Sequence, residues 1–333
     1  MERQLRVNET PFLSDPESFV VKEHICAALE RFSPQLLEAG RRLLDRLATP
    51  NWTLEWYLPR WLGEAFDLSP DLIRALVLSN VYGLSYIRLQ DDLVDGEVDQ
   101  ASWESTILLA AALHHLWLSS YVQLFAGASP FWGYFEQFMG QWLRATLRSN
   151  RPPAVDFQSY EEEDFLRLAE RGAPLKVCCA GACLLAAREA LIRPLTSAVD
   201  HFLVGAVLLD QAKDWAADLE AGRYNVFVAY ASRQPQEPER RESHRQAVLE
   251  EICLGQAARP YFDRIQRHVR IALEKVEAVD CPALRQHMQS FEKQVLTIGD
   301  RLAEEARAWL RMATEQLFGL SPAEVPAIPE EGR

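Results

Sequence analysis

The chain has 333 residues, of which 48% are hydrophobic and 25% are charged, a composition typical of a globular protein with a sizeable core. Its formal net charge of -13 disfavours nucleic acid as a partner, because binding to a phosphate backbone needs clustered Lys and Arg. An anionic substrate therefore needs a local source of positive charge, and a divalent metal ion held by carboxylates suits an acidic protein.

The predicted elements are helical along almost the whole chain. Apolar residues recur at i, i+3 and i+4 spacing, and strand-like alternation is nearly absent. The predicted helices cover 17–31, 34–48, 70–95, 101–126, 131–148, 160–170, 173–192, 195–221, 243–277 and 282–317. No Pro/Gly/Ser-rich linker divides the chain, so we predict one all-α domain over residues 1–320. The Pro- and Glu-rich residues 321–333 are predicted to be a disordered tail.

Cysteine usage and hydropathy give an expectation about the compartment. The six cysteines lack the spacing of a disulfide framework, and we expect no signal peptide, which favours a cytoplasmic protein with reduced thiols. No run of about 18 uncharged apolar residues occurs, so we predict no transmembrane segment. Peripheral membrane contact and a homodimer stay open.

The first acidic motif ends the predicted helix 70–95 and contains Asp91, Asp92 and Asp95. Asp91 and Asp95 are i, i+4, so their Cβ atoms lie about 5–6 Å apart on one helix face and can approach one metal cluster. Acids at a helix C-terminus oppose the helix dipole at a cost of about 0.3–1 kcal/mol each, and such a local cost suggests function. For this motif alone, a solvated helix end is the alternative.

A second acidic motif emerges from the predicted helix 195–221. Asp210, Asp214 and Asp218 recur at every fourth residue and form one stripe. The intervening helices allow the two stripes to face each other across a bundle core. Carboxylate oxygens without His or Cys favour Mg²⁺ over zinc, and Mg²⁺ takes its remaining ligands from water and substrate phosphates. Together the motifs predict a magnesium site for a phosphorylated substrate.

These motifs resemble those of the class I isoprenoid synthases, which include prenyl diphosphate synthases, squalene and phytoene synthases and class I terpene synthases. The first motif is similar to the family's first aspartate-rich motif, and the second resembles its partner. The turn Gly222-Arg223-Tyr224-Asn225 resembles the glycine-basic turn that closes the second motif in prenyl synthases and bacterial large-terpene synthases. Together these motifs most resemble those of bacterial class I terpene synthases of the large-terpene or prenyl-synthase-like type.

The resemblance implies a single-domain helical bundle of the isoprenoid-synthase type, an Mg²⁺ cofactor and a prenyl diphosphate substrate. The implied catalytic residues are Asp91, Asp95, Asp210, Asp214 and Arg171, and the implied metal ligands are all six motif aspartates. The residues implied to contact the diphosphate are Arg171, Lys176, Lys213, Arg223, Tyr224 and Asn225. For Arg171 and Lys176, which flank Gly172-Ala173-Pro174, a simple helix junction with solvated cations is the alternative.

A prenyl carbocation needs a dry and partly aromatic pocket. Tyr82 and Tyr86, about two turns and one turn before Asp91, are predicted to line it together with Trp142, and ordinary core packing is the alternative. Small residues are predicted to leave space for a long prenyl chain, namely Gly83, Cys178, Cys179, Gly181 and Ala182.

The segment after the first motif bears on the reaction. Elongating prenyl synthases usually carry an arginine pair there, whereas this chain continues Gly96-Glu97-Val98-Asp99. This difference favours a terpene synthase that ionises and cyclises a linear prenyl diphosphate with release of diphosphate. A prenyltransferase, either a prenyl diphosphate synthase or a condensing enzyme of the squalene/phytoene-synthase kind, is the alternative. A prenyl diphosphate-binding protein without turnover is a third interpretation.

Overall fold

The computed structural model describes residues 16–49, 52–149, 160–232, 240–254 and 258–318. These residues form α-helices and short 3-10 segments and contain no strand, which confirms the predicted all-α class. The α-helices are α1 (Pro16–Glu30), α2 (Pro34–Leu47), α3 (Thr53–Ala65), α4 (Pro70–Val94), α5 (Trp103–Leu124), α6 (Phe131–Ser149), α7 (Glu162–Leu168), α8 (Leu175–Leu185), α9 (Ile192–Ala221), α10 (Val226–Ser232), α11 (Arg241–Leu254), α12 (Ala258–Glu277) and α13 (Pro282–Phe318). The predicted tail, 321–333, lies outside the described residues.

The chain folds into two compact units. Unit 1 contains the described residues up to 149 together with 169–200 and 273–287. Unit 2 contains the described residues of 151–168, 201–272 and 288–333. The single domain over 1–320 stays a prediction.

Helix α4 is the centre of unit 1. Ser69 caps its N-terminus by accepting a hydrogen bond from the amide of Leu72, and Pro70 fits the first turn because that position needs no amide donor. The helix packs against α1, α2, α3, α5 and α8. Its buried Asn80 donates to the main-chain oxygen of Glu55 on α3, which satisfies a polar group inside the core. This packing fixes the helix that carries the first acidic motif.

Unit 2 contains the second acidic motif, on the part of α9 after residue 200. The buried hydroxyl of Tyr261 on α12 donates to the main-chain oxygen of Leu208 at 2.9 Å. The Phe202 and Phe291 rings lie 4.9 Å apart, so α13 contributes to the same core. A Cβ at Gly205 would come within 2.9 Å of the Val269 side chain, and glycine therefore permits close approach of α9 and α12.

Two helices were missed and two predicted helices were wrongly bounded, each for a local reason. Helix α3 was missed because Pro59 lies inside it, and α10 was missed because its seven mostly apolar residues show no helical period. The predicted helix 173–192 ends at Leu185, and Ala187 has a left-handed φ of 53°. The predicted helix 243–277 is two helices, α11 and α12.

Within the part of the chain that the structure describes, two helices are long and apolar enough to cross a bilayer by length and composition, over Trp103–Leu124 and Glu189–Ala221. Core helices of folded bundles share these properties. Helix α5 buries Leu113, Trp117 and Tyr121 inside unit 1, whereas Leu108 and Val122 on the same helix are exposed. The absence of a transmembrane segment stays a prediction.

Candidate functional site

The first acidic motif lies where α4 ends in a glycine cap. Gly96 has a φ of 71°, and the amide of Glu97 donates to the main-chain oxygen of Asp92 at 2.9 Å. This hydrogen bond and the one from Gly96 to Leu93 form a Schellman-type ending. The ending stops the helix directly after the aspartates and leaves their side chains at its end.

One guanidinium group joins two aspartates of this motif. Nη2 of Arg171, in the 3-10 segment Ala169–Gly172, lies 3.1 Å from Oδ1 of Asp91 and 3.1 Å from Oδ2 of Asp95. The side chain of Asp91 is 17% exposed and that of Asp95 is 35% exposed. Two partly buried carboxylates, of which Asp91 is the more buried, therefore converge on one positive charge.

Burial raises the pKa of Asp91, and the neighbouring charge of Asp95 acts in the same direction. The guanidinium of Arg171 opposes both effects. The pKa of Arg171 is itself raised, because the attraction of the two carboxylates outweighs its own desolvation. The Arg171 guanidinium therefore offsets part of the effect that burial and the Asp95 charge have on Asp91.

Asp92 has different partners. Its side chain is only 4% exposed, and its carboxylate lies 2.5 Å from Nη2 of Arg46 and 2.7 Å from Nη2 of Arg88. Arg88 also lies 3.2 Å from Glu97, in the loop after the motif. Neither arginine was predicted as a partner of Asp92. Arg88 could have been found from its i, i+4 spacing to Asp92, whereas nothing local connects Arg46 to it.

The second motif ends in the same kind of cap. Gly222 has a φ of 71°, and the amide of Arg223 donates to the main-chain oxygen of Asp218 at 2.8 Å. The buried carboxylate of Asp218 accepts from Nε of Arg223 at 2.9 Å and from Nδ2 of Asn225 at 2.8 Å. Asp218 thus corresponds to Asp92, since each is a buried aspartate neutralised by arginine at a glycine-capped helix end.

Asn225 and Gln211 hold the turn between α9 and α10. Nδ2 of Asn225 also donates to the main-chain oxygen of Gln211 at 2.9 Å, and its Oδ1 accepts from the amide of Val228 at 3.0 Å. The side chain of Gln211 accepts from the amide of Val226 at 2.8 Å. The predicted diphosphate ligands Arg223 and Asn225 are therefore part of the cap around Asp218, and Gln211 is a member that the sequence analysis missed.

Asp210 and Asp214 are the exposed members of the second motif. They lie one turn apart on α9, and the side chain of Asp210 is 70% exposed. Nζ of Lys213, a predicted diphosphate ligand, lies 3.6 Å from Asp210. Each motif thus combines an i, i+4 pair of accessible carboxylates with one buried and neutralised aspartate.

Lys176 lies in the interior of unit 1. Its side chain is 2% exposed, and Nζ lies 2.6 Å from Oδ1 of Asp200 and 2.8 Å from Oε1 of Gln141. The ammonium also stands 5.0 Å from the centre of the Phe138 ring. A buried lysine with this counter-ion can reach a diphosphate only if it leaves Asp200, so its predicted diphosphate contact stays a prediction.

The predicted pocket residues all lie in unit 1. The Tyr86 ring is 6.3 Å from that of Trp142 and 5.9 Å from that of Trp117. Tyr82 and Trp142 are buried, and Cys179 and Ala182 are completely so. The structure therefore brings Tyr86 and Trp142 together in an aromatic cluster, which fits both a pocket wall and ordinary core packing.

Gly83 and Gly181 were expected to leave space for a prenyl chain, but other side chains fill the volume beside them. A Cβ at Gly83 would lie 2.5 Å from the Trp117 ring, so the indole already fills the volume beside this glycine. A Cβ at Gly181 would meet the side chains of Leu76 and Phe131 at 3.3 and 3.5 Å. Both glycines permit close packing in unit 1, and the expectation of free space beside them was wrong.

The accessible carboxylate pairs fit a hard divalent cation. Their donors are oxygens only, which is the ligand type that Mg²⁺ prefers. Asp91 and Asp95 already converge on a cationic group, the Arg171 guanidinium, so their geometry suits a shared positive charge. The two buried aspartates, Asp92 and Asp218, are paired with arginine side chains and are therefore less suited to bind a metal ion.

Comparisons with known proteins bear on the fold. No family model matches the chain, and no curated protein matches it. Among solved structures, the chain is similar to a geranylgeranyl pyrophosphate synthetase from the archaeon Geoglobus acetivorans, with a TM-score of 0.61 and 15% sequence identity. The match covers 86% of this chain and 96% of that one. This likeness confirms the predicted isoprenoid-synthase fold.

Proposed function

We propose that the chain is an Mg²⁺-dependent enzyme that ionises an allylic prenyl diphosphate and transfers the prenyl group. The observation that carries the proposal is the pair Asp91 and Asp95, which converges on a cation at the end of α4. The second motif supports it with a similar accessible pair, Asp210 and Asp214. The fold shared with a synthetase of a prenyl diphosphate makes transfer the first reaction to test.

In this proposal the four accessible aspartates hold Mg²⁺, Asp91 with Asp95 and Asp210 with Asp214. Bound Mg²⁺ supplies positive charge that stabilises the leaving diphosphate. The buried aspartates, Asp92 and Asp218, are positioning residues, because their arginine partners fix the helix ends that carry the ligands. All six were predicted as ligands, and this proposal keeps that role for four.

Arg171 has two functions in this proposal. Without substrate, its guanidinium holds the carboxylates of Asp91 and Asp95 together. With substrate, it donates to diphosphate oxygens, which a planar guanidinium binds well. Tyr86 and Trp142 exclude water from the carbocation and present aromatic faces to it.

The lyase reaction of a terpene synthase is the second candidate. Its support is the segment after the first motif, where Glu97 pairs with Arg88 and no arginine pair follows. The same feature disfavours elongation with isopentenyl diphosphate. A transferase that joins two allylic prenyl diphosphates, or transfers to another acceptor, fits both the neighbour's fold and this segment.

Incubation of the purified chain with geranyl, farnesyl, geranylgeranyl or geranylfarnesyl diphosphate tests the proposal. We expect Mg²⁺-dependent consumption of at least one of them and release of inorganic diphosphate. Isopentenyl diphosphate alone is the matched control and should stay intact, because its ionisation gives no allylic cation. Adding NADPH or isopentenyl diphosphate, followed by mass spectrometry, separates condensation and elongation from lyase chemistry. Persistence of every allylic substrate would refute the proposal.

A further inference from the structure

Unit 2 contains a cluster of metal-ligating side chains apart from the aspartate motifs. It consists of Glu162 on α7, His201 on α9 and His268 on α12. Nδ1 of His201 lies 3.0 Å from Nδ1 of His268, and Oε1 of Glu162 lies 3.7 Å from each of these nitrogens. Three potential ligand atoms from three helices therefore converge on one point.

The distances fit a tetrahedral zinc-class ion. Zinc binds nitrogen and oxygen at about 2.0–2.2 Å, which places neighbouring ligand atoms of a tetrahedron about 3.3–3.6 Å apart. The observed separations of 3.0, 3.7 and 3.7 Å lie on both sides of this range. Shifts of a few tenths of an ångström would form three corners of such a site.

The surroundings keep the imidazoles available as ligands. His201 and His268 are buried, whereas the side chain of Glu162 reaches the surface. The Phe165 ring lies 5.5 Å from that of His268 and forms an apolar wall beside the cluster. A neutral imidazole in such a setting can donate a lone pair to a metal ion.

We propose that Glu162, His201 and His268 bind one zinc-class divalent ion, which ties α7, α9 and α12 together. Two imidazole nitrogens with one carboxylate are a donor set that suits zinc, in contrast to the all-oxygen pairs of the aspartate motifs. On α9, Asp210 follows His201 by nine residues, a rise of about 13 Å, so this site is separate from the second motif. The proposal does not rest on the proposed function.

Metal titration of the full chain tests the site. The protein is purified without immobilised metal, stripped with a chelator and titrated with Zn²⁺ by calorimetry in excess Mg²⁺, which occupies the oxygen-only sites. Co²⁺ is titrated in parallel and followed by its visible absorption. We expect about one equivalent of Zn²⁺ per chain, a Co²⁺ spectrum of a tetrahedral site with nitrogen ligands, and a higher thermal midpoint with Zn²⁺.

Glu162→Gln should weaken Zn²⁺ binding by about tenfold or more and remove the thermal shift. Glu163→Gln is the matched control, because Glu163 is exposed and lies next in sequence but pairs with Arg167. His268→Gln should also lose the Co²⁺ spectrum, and the Glu162 variant decides the outcome where the histidine variant fails to fold. Equal Zn²⁺ binding by Glu162→Gln and Glu163→Gln, or a folded wild type that binds none, would overturn the proposal. Zn²⁺ binding is scored without prenyl substrate, so its failure is distinct from failure of the proposed function.

Discussion

Asn225 donates to Oδ2 of Asp218 at 2.8 Å, so the last aspartate of the second motif belongs to the cap that follows its helix. The same amide group donates to Gln211, and its oxygen accepts from the amide of Val228. One buried side chain thus connects the end of α9 to the start of α10, where the sequence had suggested a diphosphate ligand.

Asn225→Ala should lower the free energy of unfolding by about 2–4 kcal/mol, because three buried hydrogen bonds and a helix cap are lost together. Urea unfolding followed by circular dichroism measures the free energy of unfolding of the variant and the wild type. Glu220→Ala, at an exposed position near the end of α9, is the control and should lower the free energy of unfolding by about 1 kcal/mol or less. A cost for Asn225→Ala no larger than that of the control would contradict the cap.

Asp91→Asn should reduce turnover of the allylic substrate by about 100-fold or more, because it removes one negative ligand where charge is stabilised. The thermal midpoint should change little, since the carboxylate pairs with a partly exposed arginine. Asp71→Asn, at the opposite end of α4, should keep wild-type turnover. Steady-state assays of diphosphate release compare the variants, and an active Asp91→Asn would exclude Asp91 as an essential ligand.

Asp92→Asn should act mainly on stability. It leaves Arg46 and Arg88 without the carboxylate that both contact, and we expect a loss of about 1–3 kcal/mol in the free energy of unfolding. Turnover should fall less than in Asp91→Asn when both are assayed well below their thermal midpoints. If Asp92→Asn kept wild-type stability but lost all turnover, Asp92 would be a ligand and not a positioning residue.

Gly96→Ala should destabilise the protein by about 1–2 kcal/mol, because its φ of 71° is unfavourable for a residue with a Cβ. No atom lies within 4 Å of the added Cβ, so the cost is conformational and not steric. Gly133→Ala, inside α6 with equal free space, should instead stabilise by about 0.5–1 kcal/mol. Chemical unfolding of both variants tests the pair, and the same sign for both would disprove the left-handed cap.

His287 should make unit 1 sensitive to acid. Burial lowers the pKa of His287 to about 4, whereas an unfolded histidine titrates near 6.5. Between these values the unfolded chain binds the proton more strongly, so stability is complete above about pH 6.5 and is lost progressively toward pH 4. Its ring lies 5.4 Å from that of Trp61.

His287→Gln should therefore flatten this pH dependence, with a difference from wild type on the order of 2 kcal/mol between pH 7.5 and pH 4.5. The midpoints of urea unfolding across this pH range measure the difference in stability between the variant and the wild type. His115→Gln, at an exposed position of α5, is the control and should follow the wild-type curve. Parallel curves for wild type and His287→Gln would rule out the half-buried neutral imidazole.

The sequence located the acidic motifs and most helices because both depend on local spacing. An apolar period of 3.6 residues needs only neighbours along one helix, and Asp91 and Asp95 share a face for the same reason. Helix α3 was not predicted because Pro59 lies inside it, and a proline inside a helix is tolerated only where packing compensates for the lost hydrogen bond. Approach of the second motif to the first stays a prediction.

The roles of individual side chains depended on contacts that no spacing encodes. The sequence by itself determined that the chain is helical and that two helices end in carboxylates, because periodicity and charge are properties of short segments. Only the tertiary structure decided which carboxylates are accessible: Arg46, distant in sequence, contacts Asp92, whereas Arg171 joins Asp91 and Asp95. Burial and ion pairing arise when separate helices pack, and they divide one row of aspartates into candidate ligands and structural anchors.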